Sequence, residues 1–314
     1  MSASELSTVG VLGGGRWGLA LVTAASRAGR AVCFCTRRAE QAVPEGVSVT
    51  TDYRVLSRSC TLILVATPSD VVRDVARQLG DEVDGSHFLV HGIRGLSGEG
   101  LVPVSAILRE ETPCRRVGAL AGPAVAEDLV AGRPGVIAVA SRYPEVTQAV
   151  SEALGSPTLR VYPTSDLLGA EWASALTGVL LLALGYARAS GLPPALVAGL
   201  LTRATHECSR IGAAAGGEEK TFLDLPGIGD LLAAMGQTER PEVRLGELLG
   251  QGASLEDARE RVGQRVEAPM LVPRVVAFAR ERRLRAPIIE TLGAVLAGRL
   301  GRDEAFKNLM EFKG

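Results

Sequence analysis

The feature that most constrains the fold of this chain is a glycine-rich turn in its first twenty residues. Residues 13–18 are Gly-Gly-Gly-Arg-Trp-Gly, preceded by the apolar run Val9–Leu12 and followed by a helical pattern. A strand, a glycine turn and a helix in this order are typical of dinucleotide-binding folds. Gly13 permits the tight turn, Gly15 lets backbone approach a pyrophosphate, and Gly18 lets the helix pack close to the strand. The competing interpretation is a tight turn that binds nothing.

Strand and helix patterns alternate through the first half of the chain. Strands are predicted at residues 31–35, 61–66, 87–91, 117–121 and 135–140, and helices at 69–79, 102–110, 125–131 and 145–154. This alternation predicts an α/β fold with a doubly wound, Rossmann-type, mostly parallel sheet. Ligands of such sheets bind in the crevice outside the carboxyl ends of the strands.

The second half of the chain carries only helical patterns. They are predicted at residues 167–190, 194–212, 227–235, 254–262, 270–280, 288–297 and 303–312. We therefore expect a dinucleotide-binding domain over residues 1–165 and an all-helical substrate and dimerisation domain over residues 166–314.

Composition excludes several classes of function. The net charge of −1 gives no electrostatic reason to expect nucleic acid or an anionic membrane. Five scattered cysteines argue for a reducing compartment, and three histidines without clustered spacing argue against a metal site. The longest strongly apolar stretch, residues 179–184, is too short to span a bilayer. We expect a cytoplasmic protein that acts on a small molecule.

Further motifs follow the glycine turn in a defined order. They are LILVATPS at 62–69, IRGL at 93–96, GPAVAE at 122–127, LTR at 201–203, GIGDL at 227–231, LGQG at 249–252 and VE at 266–267. Together they resemble the bacterial-type NAD(P)-dependent glycerol-3-phosphate dehydrogenase family over nearly the whole chain. The resemblance implies hydride transfer between a nicotinamide cofactor and C2 of sn-glycerol 3-phosphate or dihydroxyacetone phosphate. It also implies a homodimer.

The positions that hold the cofactor carry over well from the family. Arg16 and Trp17 stand at turn positions that contact the dinucleotide there. Ala126 keeps another cofactor position, and Glu267 matches the glutamate that reaches the cofactor. Arg94 stands at the lysine of the family's T-K-G-L motif. The resemblance therefore implies an intact dinucleotide site.

The residues after the second predicted strand indicate which dinucleotide is bound. A typical NAD-binding protein places a carboxylate there for the ribose hydroxyls, whereas this chain has Thr36-Arg37-Arg38. A guanidinium can pair bidentately with a 2′-phosphate. We therefore expect a preference for NADP(H) over NAD(H), with Arg37 as the main contact. The alternative is a solvated basic loop.

The catalytic positions depart from the family. Its catalytic lysine lies in an A-[LV]-K-N-V segment, where this chain has Thr177, and its S-R-N motif falls on Arg240-Pro241-Glu242. Asp230 is retained, and Arg94 can stabilise an oxyanion without shuttling its proton. Losing one acid–base group commonly lowers a rate about 10²–10⁴-fold. Asp230, Arg94 and Thr177 are the catalytic candidates, although Asp230 could instead serve as a helix N-cap.

Three other residues could replace the missing lysine. His91 ends a predicted strand three residues before Arg94, His206 lies on a predicted helix, and Lys220 lies in a Gly/Glu-rich loop. Each has an ordinary structural or solvated role as its alternative. The sequence thus favours a dehydrogenase acting on dihydroxyacetone phosphate or a related small hydroxy compound. The alternative is a catalytically impaired NADP(H)-binding homologue that acts as a sensor or inactive subunit.

Overall fold

The chain divides into two compact units. The computed structural model describes residues 8–37, 42–98, 100–237 and 239–311. The first unit comprises residues 1–98 and 102–171, and the second comprises residues 99–101 and 172–314. The division after Glu171 lies six residues beyond the boundary at 165/166 that the sequence predicts. The predicted boundary falls just before a long helix, Leu167–Ala189.

An eight-stranded sheet forms the centre of the first unit. Its strands are β1 (Thr8–Leu12), β2 (Ala31–Cys35), β3 (Ser48–Thr50), β4 (Leu62–Val65), β5 (Phe88–His91), β6 (Val117–Ala121), β7 (Gly135–Ala140) and β8 (Leu159–Thr164). Their order is β3-β2-β1-β4-β5-β6-β7-β8, and only the β6–β7 pair is antiparallel. The chain changes direction across the sheet between β1 and β4, which is where such folds open a ligand crevice. The predicted fold class is confirmed.

Helices connect the strands and cover the sheet. They are α1 (Arg16–Arg27), α2 (Tyr53–Ser59), α3 (Val72–Gly80), α4 (Val104–Glu111), α5 (Ala126–Ala131) and α6 (Pro144–Leu154). The central strands are apolar on both faces because both are covered. Thus Val9 and Val11 join one core cluster, whereas Leu12, Cys33 and Cys35 join the other.

The second unit is helical throughout the residues that the structure describes. It holds α8 (Pro194–Ala214), α9 (Asp230–Met235), α10 (Pro241–Gly250), α11 (Leu255–Val262), α12 (Ala268–Glu281), α13 (Pro287–Leu296) and α14 (Arg302–Glu311). Helix α7 (Leu167–Ala189) begins in the first unit and continues through the second. A 3-10 turn (Glu219–Leu223) and a π-helical turn (Leu225–Gly229) lead into α9.

Helix α7 corrects the expectation that no stretch is long enough to cross a membrane. Its 23 residues suffice by length and composition, with a mean hydropathy of 1.7 in the most apolar window. However, 89% of that window is buried within the protein, as in a core helix. The sequence predicts this helix over residues 167–190, and residues 179–184 are only its most apolar stretch.

Four elements have no counterpart among the predicted ones: β3, α2, β8 and α10. Strands β3 and β8 lie at the two edges of the sheet, where little apolar surface is buried. Pro163 lies within β8, which an edge strand tolerates because one side of its backbone needs no partner. These strands therefore lack the apolar signal by which the central ones are found.

Candidate functional site

The glycine turn has the geometry that the sequence predicts. Gly13 has φ +123°, and a Cβ there would lie 2.4 Å from the Ala66 carbonyl oxygen. A Cβ on Gly18 would lie 1.8 Å from the Gly13 carbonyl oxygen, so helix and turn meet at backbone distance. A Cβ on Gly15 would meet nothing within 4 Å. Gly13 and Gly18 are thus required by the fold, whereas Gly15 leaves open space at the start of α1.

Two buried polar atoms beside this turn fit a missing ligand. Trp17 Nε1 and Thr67 Oγ1 are buried without a hydrogen-bond partner among the residues that the structure describes. Trp17 lies in the first turn of α1, and Thr67 follows β4 at the same edge of the sheet. Burying such groups unpaired is costly, and functional sites are one place where they persist. The residues present therefore fit a dinucleotide whose polar groups complete the turn.

The other predicted cofactor residues of the first unit lie at the carboxyl ends of its strands. Ala126 is the first residue of α5, and its neighbour Glu127 accepts a hydrogen bond from Arg16 at 3.1 Å. Arg94 is half-buried in the segment after β5. The starts of α1 and α5 thus face the same edge. The backbone N–H groups of α1 favour an anion there, whereas the first turn of α5 carries Glu127 and Asp128.

Arg37 is exposed directly after β2, as its predicted role requires. Within the described residues it forms no hydrogen bond or ion pair, whereas Arg38 lies outside them. Burial raises the pKa of the nearby Tyr53 hydroxyl, and the positive charge of Arg37 acts in the opposite direction by lowering that pKa. Burial also raises the pKa of Cys35 to about 12, which keeps this thiol neutral. Arg37 therefore places an exposed positive charge two residues beyond the end of β2.

Thr177 is buried in the second unit and points at the turn that leads into α9. Its hydroxyl donates to the Pro226 carbonyl oxygen at 3.3 Å, and only 2% of the residue is exposed. Pro226 belongs to the π-helical turn that ends at Gly229, next to Asp230. The Thr177 hydroxyl is thus used in packing this turn, and its correspondence to the family lysine stays a prediction.

Asp230 forms a buried ion pair with Arg240. The Arg240 Nη1 atom donates to Asp230 Oδ1 at 2.6 Å, and the two side chains are 6% and 0% exposed. The Arg240 Nε atom also donates to Gln237 Oε1 at 2.8 Å. A carboxylate without solvent needs a cation or several donors. The Arg240 guanidinium supplies this charge, a pairing that the sequence did not predict.

The remaining candidates differ in their surroundings. Glu267 precedes α12 in the second unit and accepts from Arg265 Nε at 3.1 Å. His206 is exposed, and Lys220 is exposed beside Glu218. His91 is 1% exposed with both ring nitrogens in hydrogen bonds, so it is placed to hold structure rather than to exchange protons with a substrate.

Comparisons with known proteins decide the family. Residues 41–147 match the model for the N-terminal part of NAD-dependent glycerol-3-phosphate dehydrogenase, and residues 166–307 match the model for its C-terminus. The chain is 33% identical to the glycerol-3-phosphate dehydrogenase [NAD(P)+] of Moorella thermoacetica, over 92% of this chain and 91% of that protein. The enzyme of Azorhizobium caulinodans is 31% identical over 98% and 97%.

The chain belongs to the NAD-dependent glycerol-3-phosphate dehydrogenase family. It is therefore related to oxidoreductases that use a nicotinamide dinucleotide. Solved structures agree on the fold: the Coxiella burnetii glycerol-3-phosphate dehydrogenase superposes with TM-score 0.89 at 23% identity, covering 98% of this chain and 99% of that one. The Saccharomyces cerevisiae enzyme superposes with TM-score 0.84 at 17% identity, covering 97% and 99%.

This chain combines the glycine turn of the first unit with two buried polar contacts in the second unit, the Thr177 hydroxyl on the Pro226 carbonyl oxygen and the Asp230–Arg240 ion pair. No group of three or more His, Cys, Asp or Glu side chains able to hold a metal ion occurs in the part of the chain that the structure describes.

A substitution at Gly15 separates binding from folding. Gly15→Ala is expected to leave the free energy of unfolding nearly unchanged, because its Cβ would enter open space. It should weaken NADPH binding about tenfold or more, because the new methyl group stands where a pyrophosphate would approach the backbone. Urea unfolding and a fluorescence titration measure the two effects. Gly18→Ala is the contrasting variant, since its Cβ would overlap the Gly13 carbonyl oxygen and destabilise the fold.

Proposed function

We propose that this protein is an NADP(H)-dependent oxidoreductase that transfers a hydride between NADPH and dihydroxyacetone phosphate or a related small hydroxy compound. The observation that carries the proposal is the glycine turn with two buried, unpartnered polar atoms beside it, Trp17 Nε1 and Thr67 Oγ1. The relatives named glycerol-3-phosphate dehydrogenase [NAD(P)+] support the substrate class. A homodimer in the cytoplasm, with the substrate held by the second unit, stays a prediction.

The residues of the first unit would hold the cofactor. Bound NADPH supplies the hydride. The N–H groups at the start of α1 would bind the pyrophosphate next to Gly15, and the Arg37 guanidinium would pair with the 2′-phosphate. Arg94 places a permanent positive charge after β5, where it can stabilise negative charge on a carbonyl oxygen. These roles need no titrating side chain.

Proton transfer is the weak step of the proposed reaction. Reducing a carbonyl to a hydroxyl requires a proton as well as a hydride, and the Thr177 hydroxyl does not titrate in the useful range. Arg240 neutralises the Asp230 carboxylate within the protein. We infer that the proton comes from solvent, and that turnover is slow for that reason.

A second candidate is an NADP(H)-binding homologue without turnover, which serves as a sensor or inactive subunit. A separate observation favours it: Thr177, which the sequence resemblance aligns with the family lysine, donates its hydroxyl to the Pro226 carbonyl oxygen. Oxidation of NADPH in the presence of dihydroxyacetone phosphate separates the candidates, because both bind NADPH and only the first consumes it.

The preference for NADP(H) is tested at Arg37. Arg37→Ala should weaken NADPH binding about 10–100-fold and leave NADH binding nearly unchanged, because only NADPH carries the 2′-phosphate. Quenching of protein fluorescence during titration with each cofactor measures this. Arg58→Ala, which removes another exposed arginine of the first unit, is the matched control. Equal losses for NADPH and NADH would refute the assignment of Arg37.

A further inference from the structure

Glu171 is a buried carboxylate near the start of α7 that no part of the proposed reaction uses. It is 3% exposed, and it lies in the first unit together with His91 and Ser105. Its Oε1 atom is 3.0 Å from His91 Nε2 and accepts from the Ser105 backbone N–H at 2.8 Å. Its Oε2 atom accepts from the Ser105 hydroxyl at 2.6 Å. One carboxylate thus connects His91 at the end of β5 with Ser105 in α4, two residues that are 14 positions apart in the chain.

The hydrogen-bond pattern fixes the histidine tautomer. The Ile93 backbone N–H donates to His91 Nδ1 at 3.3 Å, so Nδ1 is the acceptor nitrogen. The proton of the neutral ring is then on Nε2, which donates to Glu171. His91 therefore links Glu171 to the Ile93 backbone through two hydrogen bonds. Ile93 is the residue before Arg94.

The second contact of Glu171 lies at the start of α4. Ser105 is the second residue of this helix, so its backbone N–H has no partner within the helix. A carboxylate here satisfies this N–H and interacts favourably with the helix dipole. The chain around Arg94 is therefore anchored at His91 before it and at Ser105 after it, and Ser97 exchanges two backbone hydrogen bonds of 2.8 Å with Val102 between these points.

The same segment touches the glycine turn. A Cβ on Gly92 would lie 2.2 Å from Trp17 Nε1, so the indole ring lies directly against the backbone between His91 and Arg94. A shift of this backbone would move both the Arg94 side chain and the ring of Trp17. The position of two predicted cofactor contacts thus depends on one short segment.

We propose that Glu171 is a positioning residue that acts through His91 and Ser105 to fix the segment 92–98, and with it Arg94 and Trp17, in the cofactor-binding geometry. This inference rests on the proposed function, because it gives the held segment its role in binding NADPH. The hydrogen bonds of Glu171 to His91 and Ser105 are present in the protein without cofactor, so their effect on the segment can be measured without NADPH.

The test uses two variants of Glu171 and one matched control. Glu171→Met removes all three acceptor bonds. Glu171→Gln keeps a carbonyl oxygen for His91 and the Ser105 N–H, while its amide N–H₂ can donate to the Ser105 hydroxyl. Glu207→Met is the control, because Glu207 is also buried and accepts from the Ile288 and Ile289 backbone N–H groups at the start of α13. The two methionine variants therefore remove similar helix-capping carboxylates from different units.

The first measurement is amide hydrogen exchange without cofactor. Glu171→Met should speed exchange in residues 92–98 about tenfold or more, Glu171→Gln should change it little, and Glu207→Met should leave it unchanged. The second is NADPH binding followed by Trp17 fluorescence in a Trp172→Phe background. Glu171→Met should weaken binding about tenfold, with recovery in Glu171→Gln.

The outcomes distinguish the two proposals. If the wild-type protein binds no NADPH while the variants show the expected differences in exchange, the proposed function is overturned. The positioning of residues 92–98 by Glu171 would still stand. Unchanged exchange in Glu171→Met would overturn this positioning. Faster exchange with unchanged NADPH affinity, or equal effects of Glu171→Met and Glu207→Met on residues 92–98, would show that Glu171 only stabilises the fold.

Discussion

Replacing Thr177 with lysine is expected to raise the rate of NADPH oxidation with dihydroxyacetone phosphate about 10²–10⁴-fold, the usual contribution of one acid–base group. The side chain of Thr177 is buried and directed at the turn before Asp230. An ammonium group there would be desolvated, and its pKa would fall towards the range in which lysine exchanges protons. Steady-state loss of NADPH absorbance measures the rate.

The control for this gain is Thr177→Met. Methionine has a long side chain that fills space near Pro226 without a titratable group, so it should give no increase. A lysine variant that folds, binds NADPH and gains no activity would contradict the view that position 177 limits turnover. An equal gain in the methionine variant would assign the effect to packing instead of proton transfer.

Replacing Arg240 with methionine is expected to lower the free energy of unfolding by about 3–5 kcal/mol, the range for breaking a buried ion pair. The cause is that the Asp230 carboxylate, at 0% exposure, would lose the cation with which it forms an ion pair. Urea unfolding of the variant and the wild type measures the loss. The double variant Asp230→Asn, Arg240→Met should be less destabilised than Arg240→Met alone, because it no longer buries an uncompensated charge.

The matched control is an exposed arginine of the second unit. The Arg280 Nε atom donates to Glu290 Oε1 at 3.2 Å, with the Arg280 side chain 61% exposed. Arg280→Met should lower the free energy of unfolding by no more than about 1 kcal/mol, because surface pairs contribute little. Similar losses in the two arginine variants would contradict the importance of burial for the Asp230–Arg240 pair.

The central sheet could be predicted from the sequence because its signal is local. Residues 31–35, 117–121 and 135–140 are apolar runs, and the strands have these same bounds. Helix α10 was missed although Pro241 at its first position is a good start signal. Its place depends on Gly185 and Gly246, which let α10 and α7 meet at backbone distance. The sequence does not reveal this contact, because it forms only once the two helices are packed against each other.

In the candidate site, too, local features could be predicted from the sequence, whereas contacts between distant residues could not. The glycine turn is specified by neighbouring residues, so the close approaches at Gly13 and Gly18 could be predicted from the sequence alone, whereas the role of Gly15 in binding stays a prediction. The partners of Asp230 and His91 come from other elements, 10 and 80 residues away in the chain. A proposed base such as His91 can therefore prove to be a packed side chain. Fold and turn were predictable, whereas the electrostatic pairing was not.

We propose that the cofactor site is complete and that Thr177 stands where the family places its proton-transferring lysine. The most direct test is NADPH oxidation by the wild-type protein at saturating NADPH and dihydroxyacetone phosphate. We expect measurable oxidation that depends on dihydroxyacetone phosphate, about 10²–10⁴-fold slower than the 1–10³ s⁻¹ of ordinary enzymes. Turnover within that ordinary range would contradict the account, because Thr177 would then not limit the reaction.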